Sequence, residues 1–253
     1  YLKKVMIISH KHKFIFLHSR KCAGSSVTVS LSRYLGINDV QLGAVEDGLE
    51  YGITPPVRMA LNAIKHAHYK FIISKFINKT PAWKLASDLN KRYYTKKFGK
   101  LPQHVSAKIL EKYVPEWSEY NKFCVVRNPW DKTLSDYFWR VRNIKNPPSF
   151  DEYLSNLFSG KNLNGIVPMG HNNWDMYTIN DEVCMDNIVR FENLSSDLTE
   201  ILNNQLKIDW DGWMPNAKKI NKTIRLNYRE YYTKEQSLML HDIYRKEIEH
   251  FGY

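Results

Sequence analysis

Short apolar runs alternate along the chain with stretches whose apolar positions recur at helical spacing. Lys13-Phe-Ile-Phe-Leu-His18 predicts a strand: four β-branched, aromatic or aliphatic residues between polar ones. Small and hydroxylic residues follow over Ser19-Arg-Lys-Cys-Ala-Gly-Ser-Ser26, and Val27, Val29, Leu31 and Leu35 then predict a helix. The same order returns at Lys122-Phe-Cys-Val-Val-Arg127. There Asn128-Pro129 ends the strand and Asp131 is placed to cap a helix carrying Leu134, Tyr137, Phe138 and Val141. Ile188-Val-Arg-Phe191 is a third strand, followed by a helix from Leu194 to Leu206. From Arg58 to Val114 the residues Trp83, Leu85, Leu89, Tyr93 and Tyr94 point to helices, with a loop near Gly99 to Pro102. Thr233 and Gln236 form a capping-box pattern, and Leu240, Ile243, Tyr244, Ile248 and Phe251 share one face of a closing helix. Strands alternating with helices predict an α/β fold with a central, mainly parallel sheet flanked by helices.

A chain of 253 residues, 43% hydrophobic, can bury a sizeable core and is not a disordered polymer. Neither glycine nor proline clusters into a linker, so a single domain over 1–253 is expected. No uninterrupted aliphatic or aromatic run exceeds the length of Phe14 to Leu17, whereas a membrane-spanning helix needs ~20 apolar residues. The cysteines, Cys22, Cys124 and Cys184, are too scattered for a disulfide framework or a CxxC zinc site and are read as reduced thiols. His10, His12 and His18 alternate near the first strand, but no carboxylate or cysteine of fitting spacing joins them, and no metal site is expected.

Charge narrows the partners. The formal net charge is +11, and residues 58–112 hold 13 basic residues against only Asp88 and Glu111. Such a basic, helical, insertion-like region concentrates anionic ligands: nucleic acid, a membrane surface, an anionic cofactor or an acidic glycan.

In sheets with parallel strands, ligands collect beyond the carboxyl ends, where helix N-termini point. The loop Ser19 to Ser26 has that position. The backbone N–H groups of Cys22, Ala23, Gly24, Ser25 and Ser26 can surround a phosphate, aided by the helix dipole and by Arg20 and Lys21; Gly24 permits close approach. The loop is no Walker A sequence, since its lysine precedes the glycine. Arg127 closes the next strand and Ser135 lies eight residues on, so both can reach a second anion. Two anion sites on neighbouring strand ends suggest a ligand with two separated phosphates.

These residues resemble a family. His18-Ser-Arg-Lys-Cys-Ala-Gly-Ser-Ser26 looks like the 5′-phosphosulfate loop of sulfotransferases that use 3′-phosphoadenosine 5′-phosphosulfate (PAPS). Val126-Arg-Asn-Pro-Trp-Asp-Lys-Thr-Leu-Ser-Asp-Tyr137 looks like their 3′-phosphate motif. His104-Val-Ser-Ala107, Arg190-Phe-Glu-Asn-Leu194, Asn221-Lys-Thr-Ile-Arg225, Tyr228-Arg-Glu-Tyr-Tyr232 and the ending Phe251-Gly-Tyr253 continue the likeness in order, closest to the carbohydrate-type branch called sulfotransferase family 2.

The resemblance implies a P-loop-NTPase-like three-layer fold and a metal-independent enzyme that moves a sulfuryl group from PAPS to a hydroxyl of a saccharide or acidic glycan, leaving adenosine 3′,5′-bisphosphate. Lys21 matches the catalytic lysine, Arg127 and Ser135 the 3′-phosphate pair, and His104 the base for the acceptor hydroxyl. Lys222, Thr223 and Arg225 fall in a late loop that closes over the nucleotide in relatives. Arg20 stands where many relatives have proline, and Cys22 where threonine is common. A cytoplasmic location is expected of a chain without its own leader, and the Golgi lumen, where eukaryotic relatives act, if an anchor preceded it. Two rivals make different demands. A phosphotransferase using the loop for ATP needs Mg²⁺. A non-catalytic basic module binding nucleic acid or anionic lipid shows a steep salt dependence carried by many lysines.

Overall fold

The computed structural model describes residues 6–66, 73, 78–98, 105–160, 172–215 and 227–253. The chain divides into two compact units, Tyr1–Val126 with Asp175–Ala217, and Arg127–Trp174 with Lys218–Tyr253.

The first unit is built on a sheet. Strands β1 (Met6–Ser9) and β2 (Phe14–Leu17) form a hairpin across the four residues 10–13. Helix α1 (Gly24–Ser32) follows β2, and β3 (Val40–Leu42) pairs antiparallel with the other edge of β1. Among the described residues the next elements are helices α2 (Val45–Leu49), α3 (Val57–His66), α4 (Ala82–Phe98) and α5 (Ala107–Tyr113), then β4 (Asn121–Val126), which lies parallel to β2. After α6 (Pro129–Val141), α7 (Phe150–Ser159) and the single turn α8 (Trp174–Tyr177), a two-residue hairpin of β5 (Thr178–Ile179) and β6 (Glu182–Val183) precedes β7 (Asn187–Arg190). Strand β7 joins the sheet parallel to β4, giving the order β3-β1-β2-β4-β7. Helix α9 (Leu194–Thr199) runs on into a π-helical turn over Glu200–Gln205.

The sheet is therefore mixed, with two parallel and two antiparallel pairings, where the strand–helix alternation predicts a mainly parallel one. The reason is the β1–β2 connection. Four residues can reverse the chain into an antiparallel neighbour but cannot make the crossover that parallel pairing needs. Asp39, almost fully buried, holds that reversal: its carboxylate accepts from Ser9 Oγ (2.7 Å) and the N–H groups of His10 (2.8 Å), Lys11 (3.1 Å) and Gly36 (2.8 Å). Both sheet faces are covered. Ile7, Phe14, Phe16, Phe123, Val125 and Val189 pack with Val27 and Leu31 of α1 and Leu198 of α9, while Met6, Ile8, Ile15, Leu17 and Cys124 are equally buried on the alternate positions.

The second unit is helical. Helices α6 and α7, a short 3₁₀ turn at Tyr228–Tyr231, α10 (Lys234–Ile243) and α11 (Arg245–Phe251) enclose Tyr153, Leu154, Leu157, Leu240, Tyr244 and Ile248. The closing helix of the sequence reading is two helices, because Tyr244 leaves helical geometry at φ −110° and ψ 20°. Its apolar face survives the break, since Tyr244 and Ile248 stay in that core. The capping box is present: Thr233 Oγ1 accepts from Gln236 N–H and the Gln236 side chain accepts from Thr233 N–H. Among the described residues no helix is long and apolar enough to cross a membrane.

Candidate functional site

The loop between β2 and α1 begins at the carboxyl end of β2. His18 and Ser19 are buried there, and Lys21 (φ 63°) and Ala23 (φ 57°) both take the left-handed conformation that side-chain-bearing residues seldom adopt. Two such residues within three positions coil the chain tightly into the start of α1. Ala23 sits at the cap position, and among the described residues no side chain caps that helix end. The positive end of the dipole therefore faces the loop without the usual Ser, Asp or Asn oxygen across it.

Cys22 turns the other way. Its Sγ donates to the Arg20 carbonyl (3.2 Å) and its side chain belongs to the sheet core, so only its backbone faces the loop. The Arg20 guanidinium is held below its ordinary pKa by burial, yet stays cationic at neutral pH. The Ser19 hydroxyl is buried with no hydrogen-bond partner among the described residues. Nothing in its sequence position marks it, but such a group is costly unless a ligand or water completes it.

Packing gives Gly24 a reason of its own. A Cβ there would lie 1.5 Å from His18 Cδ2 and 2.0 Å from its Nε2, so the imidazole fills the space that a side chain would occupy. Gly24→Ala therefore displaces His18 and is expected to lower the melting temperature by several degrees, whereas the double variant His18→Ala/Gly24→Ala recovers part of the loss. Thermal unfolding of both variants checks this; a neutral single variant would contradict the packing.

The second loop leaves the adjacent strand end. Leu17 of β2 is in register with Cys124 of β4, and Arg127 follows at the end of β4. The Arg127 side chain is buried, and its Nε and Nη2 both lie 2.8 Å from Asp131 Oδ2. Asp131 is thus the anchor of the arginine and not the helix cap that the spacing predicts. The cap is Asn128, whose Oδ1 accepts from the N–H groups of Trp130 (3.1 Å) and Asp131 (3.3 Å), with Pro129 at the first helical position, where a missing N–H costs nothing. Asn-Pro ahead of an apolar-periodic stretch is itself a start signal, so Asn128 was open to sequence reasoning. With this helix end occupied, an anion near Arg127 would be held by side chains. Ser135, half-buried and almost two turns into α6, is available in kind. Lys132, in the same motif, is fully buried and pairs with the Glu247 carboxylate.

Several expected residues lie outside the described positions: His104, and Lys222, Thr223 and Arg225 of the late loop. Ser25 is buried and Ser26 half-buried at the start of α1. The histidines near the first strand serve the hairpin. His10 Nδ1 meets Tyr120 Oη (2.9 Å) and its Nε2 meets Arg58 Nη1 (3.0 Å), while His12 Nε2 meets the Tyr34 carbonyl (3.0 Å). Trp174, a ring suited by sequence to sugar stacking, is buried against His250 and Phe251. Burial raises the Cys184 thiol to about 11, far from a reactive thiolate at neutral pH.

Among known proteins, the family model described as "Sulfotransferase family" matches residues 4–253. No curated protein and no solved structure matches the chain. A match over essentially the whole chain, on a mixed α/β sheet flanked by helices, settles membership: the chain belongs to the sulfotransferase family, in its carbohydrate-type branch, sulfotransferase family 2.

Proposed function

We propose that this sulfotransferase takes its sulfuryl group from PAPS and delivers it to a hydroxyl of a saccharide, an acidic glycan being favoured by the basic region 58–112, on a P-loop-like nucleotide fold within a single catalytic domain. The observation that carries the reading is the β2–α1 loop: left-handed Lys21 and Ala23 and, among the described residues, an orphaned buried Ser19 hydroxyl and a helix start that no side chain caps. Those features suit an anionic phosphosulfate, since both the dipole and the N–H groups of the loop favour negative charge.

PAPS supplies an activated S–O bond between the sulfuryl group and the 5′-phosphate. In the proposed reaction that bond breaks as the acceptor oxygen bonds to sulfur, and the electron pair stays on the departing phosphate oxygen. The Lys21 ammonium stabilises the charge growing there, with the α1 N-terminus and Arg20 beside it. Arg127, fixed by Asp131, and Ser135 hold the 3′-phosphate through side chains alone. His104 takes the acceptor proton, the role of a general base. Lys222, Thr223 and Arg225 complete the nucleotide's enclosure.

A calorimetric titration with adenosine 3′,5′-bisphosphate tests the donor. The parent protein is expected to bind it without added Mg²⁺, and Arg127→Ala to weaken binding by at least about tenfold, the loss of one or more charge-assisted hydrogen bonds. Equal affinity of parent and variant would overturn the assignment of the 3′-phosphate. A transferase activity abolished by a chelator would favour phosphoryl transfer from ATP instead.

A further inference from the structure

Helix α3 carries two apolar faces. Met59 and Ala63 are buried, and the adjacent Asn62 donates to Asn90 of α4 (3.1 Å), which fixes this side inward. The outward side is aliphatic as well: Val57 is 52% exposed, Leu61 55% and Ile64 76%, with exposed Ala60 between them. Positions 57, 60, 61 and 64 form one stripe at helical spacing. The stripe continues into the loop before β3. Arg58 N–H donates to the Ile37 carbonyl (2.9 Å), and Ile37 is 67% exposed. Isolated exposed aliphatics are ordinary, but a contiguous row of this kind marks an interaction surface.

The surroundings choose the partner. Helix α3 has no acidic residue, and Lys65 is exposed beside the stripe. Helix α4, packed against α3, exposes Lys84, Lys91, Arg92, Lys96 and Lys97. A second copy of this face would set the same basic helices against each other. A polysaccharide would satisfy the lysines but leave the aliphatic row in water. An anionic bilayer satisfies both, taking aliphatic side chains at the acyl boundary and ammonium groups at the lipid phosphates.

We propose that the outward face of α3, with Ile37 and the lysines of α4, docks this protein peripherally on an anionic membrane surface. The proposal is independent of the nucleotide assignment but draws on the same basic region, 58–112, as the acceptor reading above; vesicles free of saccharide test it apart from that reading.

Co-sedimentation of the full chain with vesicles tests it. Phosphatidylcholine vesicles containing phosphatidylserine are expected to bind the protein, and vesicles of phosphatidylcholine alone to bind it far less. Leu61→Ser/Ile64→Ser, at two exposed positions, should retain the parent's circular dichroism and partition at least about tenfold more weakly. Lys91→Glu/Lys96→Glu should weaken binding similarly and covers the case in which the serine variant loses helicity. Failure of the parent to bind either vesicle, or anionic binding unchanged in the serine variant, would overturn the proposal. So would a concentration-dependent dimer that the serine variant abolishes, because the face would then join two copies.

Discussion

Replacing Lys21 with methionine is expected to cut kcat for sulfuryl transfer by about 10²- to 10³-fold, the usual cost of removing one well-placed donor to a developing charge. The loss should fall on kcat more than on the KM of the donor, because the charge on the phosphate oxygen is largest in the transition state. Methionine has a Cβ like lysine, so the left-handed φ of 63° is no harder to hold in the variant, and the comparison isolates the ammonium. Steady-state rates with a saccharide acceptor measure the effect. A variant as fast as the parent would remove Lys21 from the chemistry.

The largest stability effect is expected at a basic residue that lies in the nucleotide-type motif yet is buried in an ion pair. Lys132 is fully buried, its Nζ 2.5 Å from Glu247 Oε2 and 4.3 Å from the centre of the Tyr244 ring. The other oxygen, Glu247 Oε1, accepts from the Asn173 N–H at 2.8 Å. Lys132→Met leaves a buried carboxylate uncompensated, a change that typically costs ~3–5 kcal/mol. The double variant Lys132→Met/Glu247→Gln should recover most of that. It removes both charges, and a glutamine oxygen still serves Asn173. Denaturant unfolding of the single and double variants decides the matter; additive losses would show that the pair is not coupled.

Much of this could be read from residue order, and the failures have identifiable causes. Strands β2, β4 and β7 are short apolar runs between polar ends, and the sequence places them correctly. Strand β1 opens on three apolar residues, Met6 to Ile8, but the reversal after it carries no glycine or asparagine. Lys13 takes the left-handed position (φ 54°) that such a residue would have signalled. Missing that hairpin makes the sheet look more parallel than it is. Strand β3 has three residues, too few to show a period. Ser149 and Glu152 spell the same capping box as Thr233 and Gln236, so α7 was legible. The break at Tyr244 was not, because neither glycine nor proline marks it.

At the site, residue type and loop position single out Lys21, Arg127 and Ser135 as candidates, but packing roles stayed hidden. That Gly24 makes room for His18, and that Asp131 steadies Arg127, are facts of side-chain direction that spacing does not encode.

With alanine at the cap of α1, no side-chain oxygen among the described residues closes that helix end, which leaves it open to an anion from solution. Any phosphate or sulfate in the buffer can close it, and by mass action it will raise the unfolding temperature as its concentration rises. The first turn of α1 is then a section of the enzyme whose rigidity is on loan from its surroundings, firm while anions are plentiful and loosening as they are dialysed away.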